Sequence, residues 1–294
     1  MKLQTPVTDN ICKVGISYAD RIMMLGSCFS DNIGRQLVDF GFNACVNPFG
    51  TLYNPASVLA AVRRLVSKEA FTEDDCVQIG AGDLRFCSFS HHTSFARSSK
   101  QEFLSNANRA LEEAADFFRS CNKVIITLGT SWCYRHIEKD MIVSNCLKRP
   151  AAEYQREFLH AGKSEEILTE IMHMCNCNDK GITPKEFIFT VSPIRHFKDG
   201  AHGNQISKAS LLVGIDQMLM KSSGIKADYF PSYEIMMDEL RDYRFYAEDM
   251  CHPTLQAVNY IRERFLGWAL PSDELQILEE NIKAFKRFTH ISSK

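Results

Sequence analysis

Arg21-Ile22-Met23-Met24-Leu25-Gly26-Ser27-Cys28-Phe29-Ser30 decides how the rest of this chain is read. A short apolar run meets a glycine and two small residues able to act as nucleophiles, and Ile33, Leu37, Val38 and Phe40 then recur at helical spacing. The pattern predicts a strand, a tight turn and a helix start. Such a turn presents a side chain at the carboxyl end of a buried strand, with the unpaired amides of the new helix aimed at whatever that side chain attacks.

Two further stretches repeat the first half of this pattern. Lys123-Val124-Ile125-Ile126-Thr127-Leu128 is a β-branched run that ends at Gly129-Thr130-Ser131-Trp132, and Glu186-Phe187-Ile188-Phe189-Thr190-Val191 runs into Ser192-Pro193-Ile194-Arg195-His196. Continuous apolar runs of this length predict strands buried on both faces of a parallel sheet. Helical patterns lie between them: one begins at the cap Asn54-Pro55 and continues to about 66, others span about 100–119 and 204–221, and one starts near Ser232. A short strand is expected at 227–230. Thr254 is a candidate cap for a further helix, and 150–177 reads as helical with a break near Gly162. Period-two stretches at 77–87, around Gly80-Ala81-Gly82-Asp83, and at 132–143 read as small hairpins. Strands alternating with helices predict an α/β fold, a parallel sheet covered on both faces with its functional loops at the carboxyl ends of the strands.

The 294 residues carry no internal repeat and no low-complexity linker, so 1–294 reads as one domain, with a charged amphipathic helix at about 271–290 on its periphery. The stretch from Thr8 to Asp20 reads as a polar lead-in across the surface. Hydrophobic content of 45%, charged content of 24% and a net charge of -2 provide no field to recruit nucleic acid or an anionic membrane. No long apolar segment follows Met1-Lys2-Leu3-Gln4-Thr5-Pro6, and eleven cysteines without a repeated spacing suit a reducing compartment, so a cytoplasmic protein is expected. Composition says nothing of oligomeric state.

Three features should meet at one edge of such a sheet: the Gly26-Ser27-Cys28 turn, the Gly129-Thr130 turn, and Asp249-x-x-His252. A nucleophile needs a base, and the base needs an orienting acceptor; a loop can hold Asp249 and His252 together for that purpose. Arg195 and His196 follow a central strand and could bind an anionic group of a substrate, and His91 and His92 end a hairpin. His173, Cys175 and Cys177 are clustered but lack the second ligand pair that a closed zinc site needs, so no metal is expected.

Gly26-Ser27-Cys28-Phe29-Ser30 resembles the signature of the GSCFA family, although Ser30 stands where that signature has alanine. Further blocks resemble the same family: 47–55, 128–132, 190–193, and the stretch from Asp242 to Pro253, so that the likeness extends from about Lys2 to Phe265. In Asn145-Cys146-Leu147-Lys148 the family's pattern would place a histidine at Leu147.

That family is grouped with the SGNH (GDSL-like) hydrolases, so the resemblance implies a flavodoxin-like three-layer α/β/α domain and acyl-ester chemistry that needs no cofactor. The substrate would be a small-molecule ester, an acylated carbohydrate among the candidates, and the product either an acid or a transferred acyl group. Residue by residue, the resemblance places Cys28 at the nucleophile position, with Ser27 taking its place if the match shifts by one. Gly50, Gly129 and Thr130 resemble the oxyanion-hole blocks, with Thr130 in place of asparagine and His91 or His92 able to fill the gap; Asp249 and His252 resemble the rest of the triad. Helix-start amides and a histidine would lower the pKa of a thiol at Cys28. The altered first and third blocks leave a second reading open, a binding domain that kept the fold without the reaction. A redox role for Cys28 ranks last, since no Cys-x-x-Cys is present.

Overall fold

Along the first strand, β1 (Arg21–Gly26), Ile22 and Met24 face one side of the sheet and Met23 and Leu25 the other, and all four are buried. Each such side chain contributes about 1.5–3 kcal/mol by leaving water, which is why the run is apolar throughout rather than alternating. A computed structural model of the chain describes residues 5–7, 11–80, 84–176 and 183–292, with side chains through residue 288.

After β1 come α1 (Cys28–Asp39), β2 (Asn43–Val46), α2 (Pro55–Ser67), a hairpin of β3 (Val77–Ile79) and β4 (Arg85–Cys87), α3 (Lys100–Ser120) and β5 (Lys123–Leu128). A three-stranded excursion follows, β6 (Trp132–His136), β7 (Met141–Val143) and β8 (Tyr154–Phe158), and then α4 (Ala161–Cys175), β9 (Glu186–Val191), α5 (Gly200–Lys221) and β10 (Ala227–Tyr229). A short α6 (Ser232–Glu234) runs into a π-helical turn, Ile235–Leu240, before α7 (Leu255–Ala269) and α8 (Leu275–Ser292).

The central sheet has the order β10-β9-β5-β1-β2 with every pair parallel. Numbered by their own succession these strands run 2-1-3-4-5, the flavodoxin-like doubly wound order, whose switch point lies between β1 and β5. Helices α2, α3, α4 and α5 bury their apolar faces against Met23, Leu25, Val124, Ile126 and Phe187. Helices α1 and α7 cover the opposite face, against Ile22, Met24, Ile125 and Ile188, with Leu278 of α8 buried alongside them. The result is the three-layer α/β/α arrangement expected from the alternation of elements.

Three local expectations are corrected. Residues 154–158 form a strand rather than part of a long helix, because β6 has an open edge and Tyr154-Gln155-Arg156-Glu157-Phe158 alternates well enough to pair along it. The helix begins only at Ala161, where His160 caps the amide of Lys163; Cys177, the expected end, lies outside the described residues. The lead-in is not wholly superficial, since Val14 and Ile16 are buried and the Ile16 amide bonds the Ala269 carbonyl at 2.9 Å. The expected hairpin at β3 and β4 forms, with 81–83 of its turn outside the described residues. Among the described residues no helix is long and apolar enough to cross a membrane.

Candidate active site

Gly26 ends β1 with φ +148°, and a Cβ there would stand 2.2 Å from the Thr127 carbonyl oxygen. The close approach of β1 to β5, sealed by the Ser27 amide bonding that same oxygen at 3.1 Å, therefore requires glycine. Asn47, from the loop after β2, accepts from the Gly26 amide through Oδ1 at 2.8 Å and donates through Nδ2 to Asp31 of α1 at 2.5 Å. Strand end, loop and first helical turn are tied together at the switch point.

Ser27 is the N-cap of α1, fully buried, and its hydroxyl has no partner among the described residues. Cys28 occupies the first helical position and is partly exposed. Burial raises its thiol above the ordinary value; the amides of Cys28 and Phe29 and the Lys208 ammonium pull downward, and Asp31 pushes up again. The net direction is opposite to the lowering expected from helix-start amides and a histidine, because desolvation of the sulfur outweighs the dipoles around it.

The Asp249 carboxylate organises the second half of the site. Its Oδ1 accepts from the amides of Cys251 and His252, each at 2.9 Å, and its Oδ2 lies 2.5 Å from His252 Nδ1. Those two amides, His252 first, and then the imidazole hold the Asp249 carboxyl down at about 2. The loop is fixed from outside by the residues after β9: the Arg195 amide bonds the Cys251 carbonyl at 3.1 Å, and its guanidinium bonds the Met250 carbonyl at 3.3 Å. Since a carboxylate can only accept, Nδ1 carries the ring hydrogen and Nε2 presents its lone pair.

Cys28 and His252 line one cavity of about 430 Å³, together with Tyr53, Thr130, Trp132, Tyr134, Arg195 and His196. Ser27 is not among the residues lining it. Among the described residues no hydrogen bond joins His252 to Cys28 or Ser27. His196 is largely buried, and burial, with Lys208 and His252 nearby, lowers its pKa to about 4. Arg156 forms a two-pronged pair with Asp199 at 2.6 and 2.8 Å and lies over the Trp132 ring at 4.1 Å, which stiffens the far wall. A second cavity of about 750 Å³ also reaches Cys28 and is lined by Asp31, Arg35, Asn47, Gly50 and His92 among others.

The glycine and threonine amides expected to hold an oxyanion are engaged elsewhere. The Gly50 amide bonds the Asn47 carbonyl at 2.8 Å, and the Gly129 and Thr130 amides both bond the Tyr53 carbonyl, at 2.8 and 2.9 Å. The Thr130 hydroxyl contacts Ser207 Oγ at 3.0 Å and accepts from the Trp132 amide at 3.1 Å. Gly50 instead permits close packing, since a Cβ there would meet His92 Cβ at 2.2 Å. The donors left at the nucleophile are the first amides of α1, at Cys28 and Phe29, which have no intrahelical acceptor. Asn54 also lines the cavity: its Oδ1 caps the Ser57 amide at 2.9 Å, and its Nδ2 has no partner among the described residues.

The two adjacent histidines separate. His91 is fully buried among Phe49, Phe71, Phe95 and Phe103, its Nδ1 2.7 Å from Ser88 Oγ, and burial lowers its pKa to about 3. A neutral histidine in an aromatic core touches no substrate, which corrects that expectation. His92 faces the second cavity. His173 is exposed while Cys175 is buried, and among the described residues no cluster of three His, Cys, Asp or Glu side chains could hold a metal.

Lys208 had no signal in the sequence beyond its place among Asn204, Ser207, Leu211 and Ile215 on the buried side of α5. Its ammonium donates to the carbonyls of Gly129 and Ser192, both at 2.7 Å, and so clasps the ends of β5 and β9. Complete burial lowers its pKa to about 7, against an opposing pull from Cys28.

The model of the GSCFA family matches residues 21–265, so the chain belongs to that family. No curated protein and no solved structure matches the chain.

Proposed function

We propose that this member of the GSCFA family is an SGNH-like acyl-ester enzyme in which Cys28 is the nucleophile, His252 the general base and acid, and Asp249 the orienting carboxylate. The observation that carries the reading is the shared cavity: Cys28 and His252 line the same space, and Asp249 fixes His252 so that Nε2 is the nitrogen left to accept a proton. Cys28 is favoured over Ser27 because it is the one that reaches the cavity.

His252 Nε2 takes the thiol proton as the sulfur forms a bond to the ester carbonyl carbon. The carbonyl oxygen, now negative, is held by the Cys28 and Phe29 amides and Asn54 Nδ2. Collapse breaks the ester C–O bond, and the departing alkoxide receives the proton from His252, leaving an acyl thioester on Cys28. Water or another hydroxyl then attacks the same carbon, loses its proton to His252 and releases the thiol, to which that proton returns. A thiol raised by burial is protonated at rest, so the proton transfer belongs to the reaction and not to a standing thiolate. Trp132 and Tyr134, with the Arg156 guanidinium laid over both rings and Lys198 over Tyr134, give the cavity both aromatic surface and donors for the ring and hydroxyls of an acylated carbohydrate. A cysteine nucleophile works in a reducing compartment, which agrees with the reading of a cytoplasmic protein.

Hydrolysis of 4-nitrophenyl acetate by the wild type, Cys28→Ser, Ser27→Ala and His252→Ala tests the proposal. Loss in the Cys28 and His252 variants is expected. Loss in Ser27→Ala with Cys28→Ser unaffected would move the nucleophile, and equal rates in all four would sink the reading. The engaged amides of Gly50, Gly129 and Thr130 favour a second reading, a non-catalytic binding domain for a small molecule or carbohydrate, and equal rates would point there.

A further inference from the structure

We infer that the two cavities meeting at Cys28 divide the substrate, the alcohol portion in the cavity that contains His252 and a large, polar acyl group in the other. The inference rests on the acyl-enzyme reading above and adds the class of acyl group to it. Among the described residues, Cys28 and Tyr53 are the two that line both cavities, whereas His252 lines only the smaller one. The leaving oxygen must receive its proton from His252, so the alcohol has to lie on that side. The carbonyl carbon bonded to sulfur then has its remaining substituent directed away, into the larger space.

That space is about 750 Å³, within the range of cavities that hold whole ligands and far beyond the needs of an acetyl group. Its wall is mixed: Asp31, Arg35, Asn47 and His92 stand alongside Val38 and Phe95. An alkyl chain would cover only the apolar part and would strip the charged and polar groups of water without replacing their hydrogen bonds, which is unfavourable. Asp31 shows that the wall is ordered for recognition: one carboxylate oxygen is already fixed by Asn47, which leaves the other for a ligand. Along α1, Cys28, Asp31 and Arg35 follow at spacings of three and four, so the helix presents the nucleophile and the two charged groups on one face. An acyl group with donors and acceptors several bonds from its carbonyl, such as an N-acylated aminoacyl group, fits this wall.

The test is a crossed specificity experiment on the full chain. The 4-nitrophenyl esters of acetic acid, octanoic acid and N-acetylglycylglycine vary the acyl group at constant alcohol, and N-acetylglycylglycine esters of 4-nitrophenol and of methyl glucoside vary the alcohol. The wild type should prefer the peptide-like acyl group over both others by kcat/KM. Arg35→Ala and His92→Ala should shrink that acyl preference roughly tenfold, as expected for one or two hydrogen bonds to charged or polar groups. Trp132→Ala should alter alcohol preference and leave the acyl ratio in place. Preference for acetate or octanoate, or an acyl ratio untouched by both Arg35→Ala and His92→Ala, overturns the division. Mass spectrometry of the quenched enzyme separates the two levels: an acyl adduct on Cys28 with the wrong selectivity sinks only this inference, and turnover retained in Cys28→Ala without any adduct sinks the acyl-enzyme reading beneath it.

Discussion

Asp249 holds His252 at two points, with Oδ2 2.5 Å from the ring Nδ1 and Oδ1 2.9 Å from the histidine's own amide. One carboxylate thereby sets both the ring and the backbone that carries it. Asp249→Asn keeps the size of the side chain and an acceptor for the amides but removes the charge that selects the tautomer. The rate on a 4-nitrophenyl ester should fall on the order of 10²–10⁴-fold with the circular dichroism spectrum unchanged. An unaltered kcat would take Asp249 out of the chemistry. The pH dependence has a definite sign: the folded carboxyl is held down at about 2, so what it contributes is complete above its unfolded value of about 3.9 and is lost as pH falls through 2. An acid limb of the rate profile at pH 4 that disappears in the variant would contradict this.

His91 provides the opposite test, a histidine that matters to folding and not to turnover. Its pKa of about 3 lies below the ordinary value, so the unfolded chain binds more protons between the two. The stability it contributes is complete above about 6.5 and is lost as pH falls toward 3. His91→Phe, which fits the surrounding ring cluster but removes the bond to Ser88 Oγ and leaves that oxygen only the Ser90 amide at 3.2 Å, should cost about 1–3 kcal/mol at pH 7 and flatten the decline in urea midpoint on acidification. Its kcat should match the wild type. A drop in kcat without loss of stability would return His91 to the site.

Lys208 titrates in the other range. Its folded pKa of about 7 is depressed from 10.5, so between these values the unfolded chain holds more protons and stability rises with pH. Below 7 the protein carries the full penalty of a buried ammonium. Lys208→Met removes the charge and the titration, but leaves the carbonyls of Gly129 and Ser192 without their donor. The difference in urea midpoint between wild type and variant should therefore widen in favour of the wild type from pH 7 to 10. A constant difference across that range would mean that the lysine is not buried as a titrating group.

What could be read in the residues follows from where each signal originates. The parallel strands were legible because burial on both faces forces an uninterrupted apolar run, as in Val124-Ile125-Ile126, and the α2 start was legible because Asn54-Pro55 is a local device. Strand β8 was not, since Tyr154-Gln155-Arg156-Glu157-Phe158 becomes a strand through pairing with β6, a contact distant in sequence. The same limit applies at the site. Asp249 and His252 are three apart and their pairing was visible, whereas Lys208 reaches Gly129 and Ser192 across the fold, and a lysine read alone suggests a solvated surface. The block order in the sequence favoured Cys28 over Ser27, with a one-residue shift able to reverse it; adjacent positions at a helix start point in different directions, and the built turn shows the hydroxyl sealed and the thiol on the cavity. The amides of Gly50, Gly129 and Thr130 sit in the expected loops, but the Asn47 and Tyr53 carbonyls take them up, a detail of loop closure that no motif carries.

Asn54 caps α2 and, in the proposed reaction, also donates to the oxyanion, and the two roles can be separated chemically. Its oxygen caps α2 through the Ser57 amide, and its nitrogen is the donor assigned to the developing oxyanion. Asn54→Asp retains the cap oxygen and removes the donor, while Asn54→Ala removes both. The aspartate variant should unfold within a few tenths of a kcal/mol of the wild type yet lose about 3 kcal/mol of transition-state stabilisation, on the order of 10²-fold in kcat. The alanine variant should lose that rate and in addition about 1 kcal/mol of stability from the missing cap. If the aspartate variant kept its kcat, the oxyanion would have to rest on the Cys28 and Phe29 amides alone. A large loss of stability in the aspartate variant would show instead that the nitrogen holds the loop together, and that its role is structural.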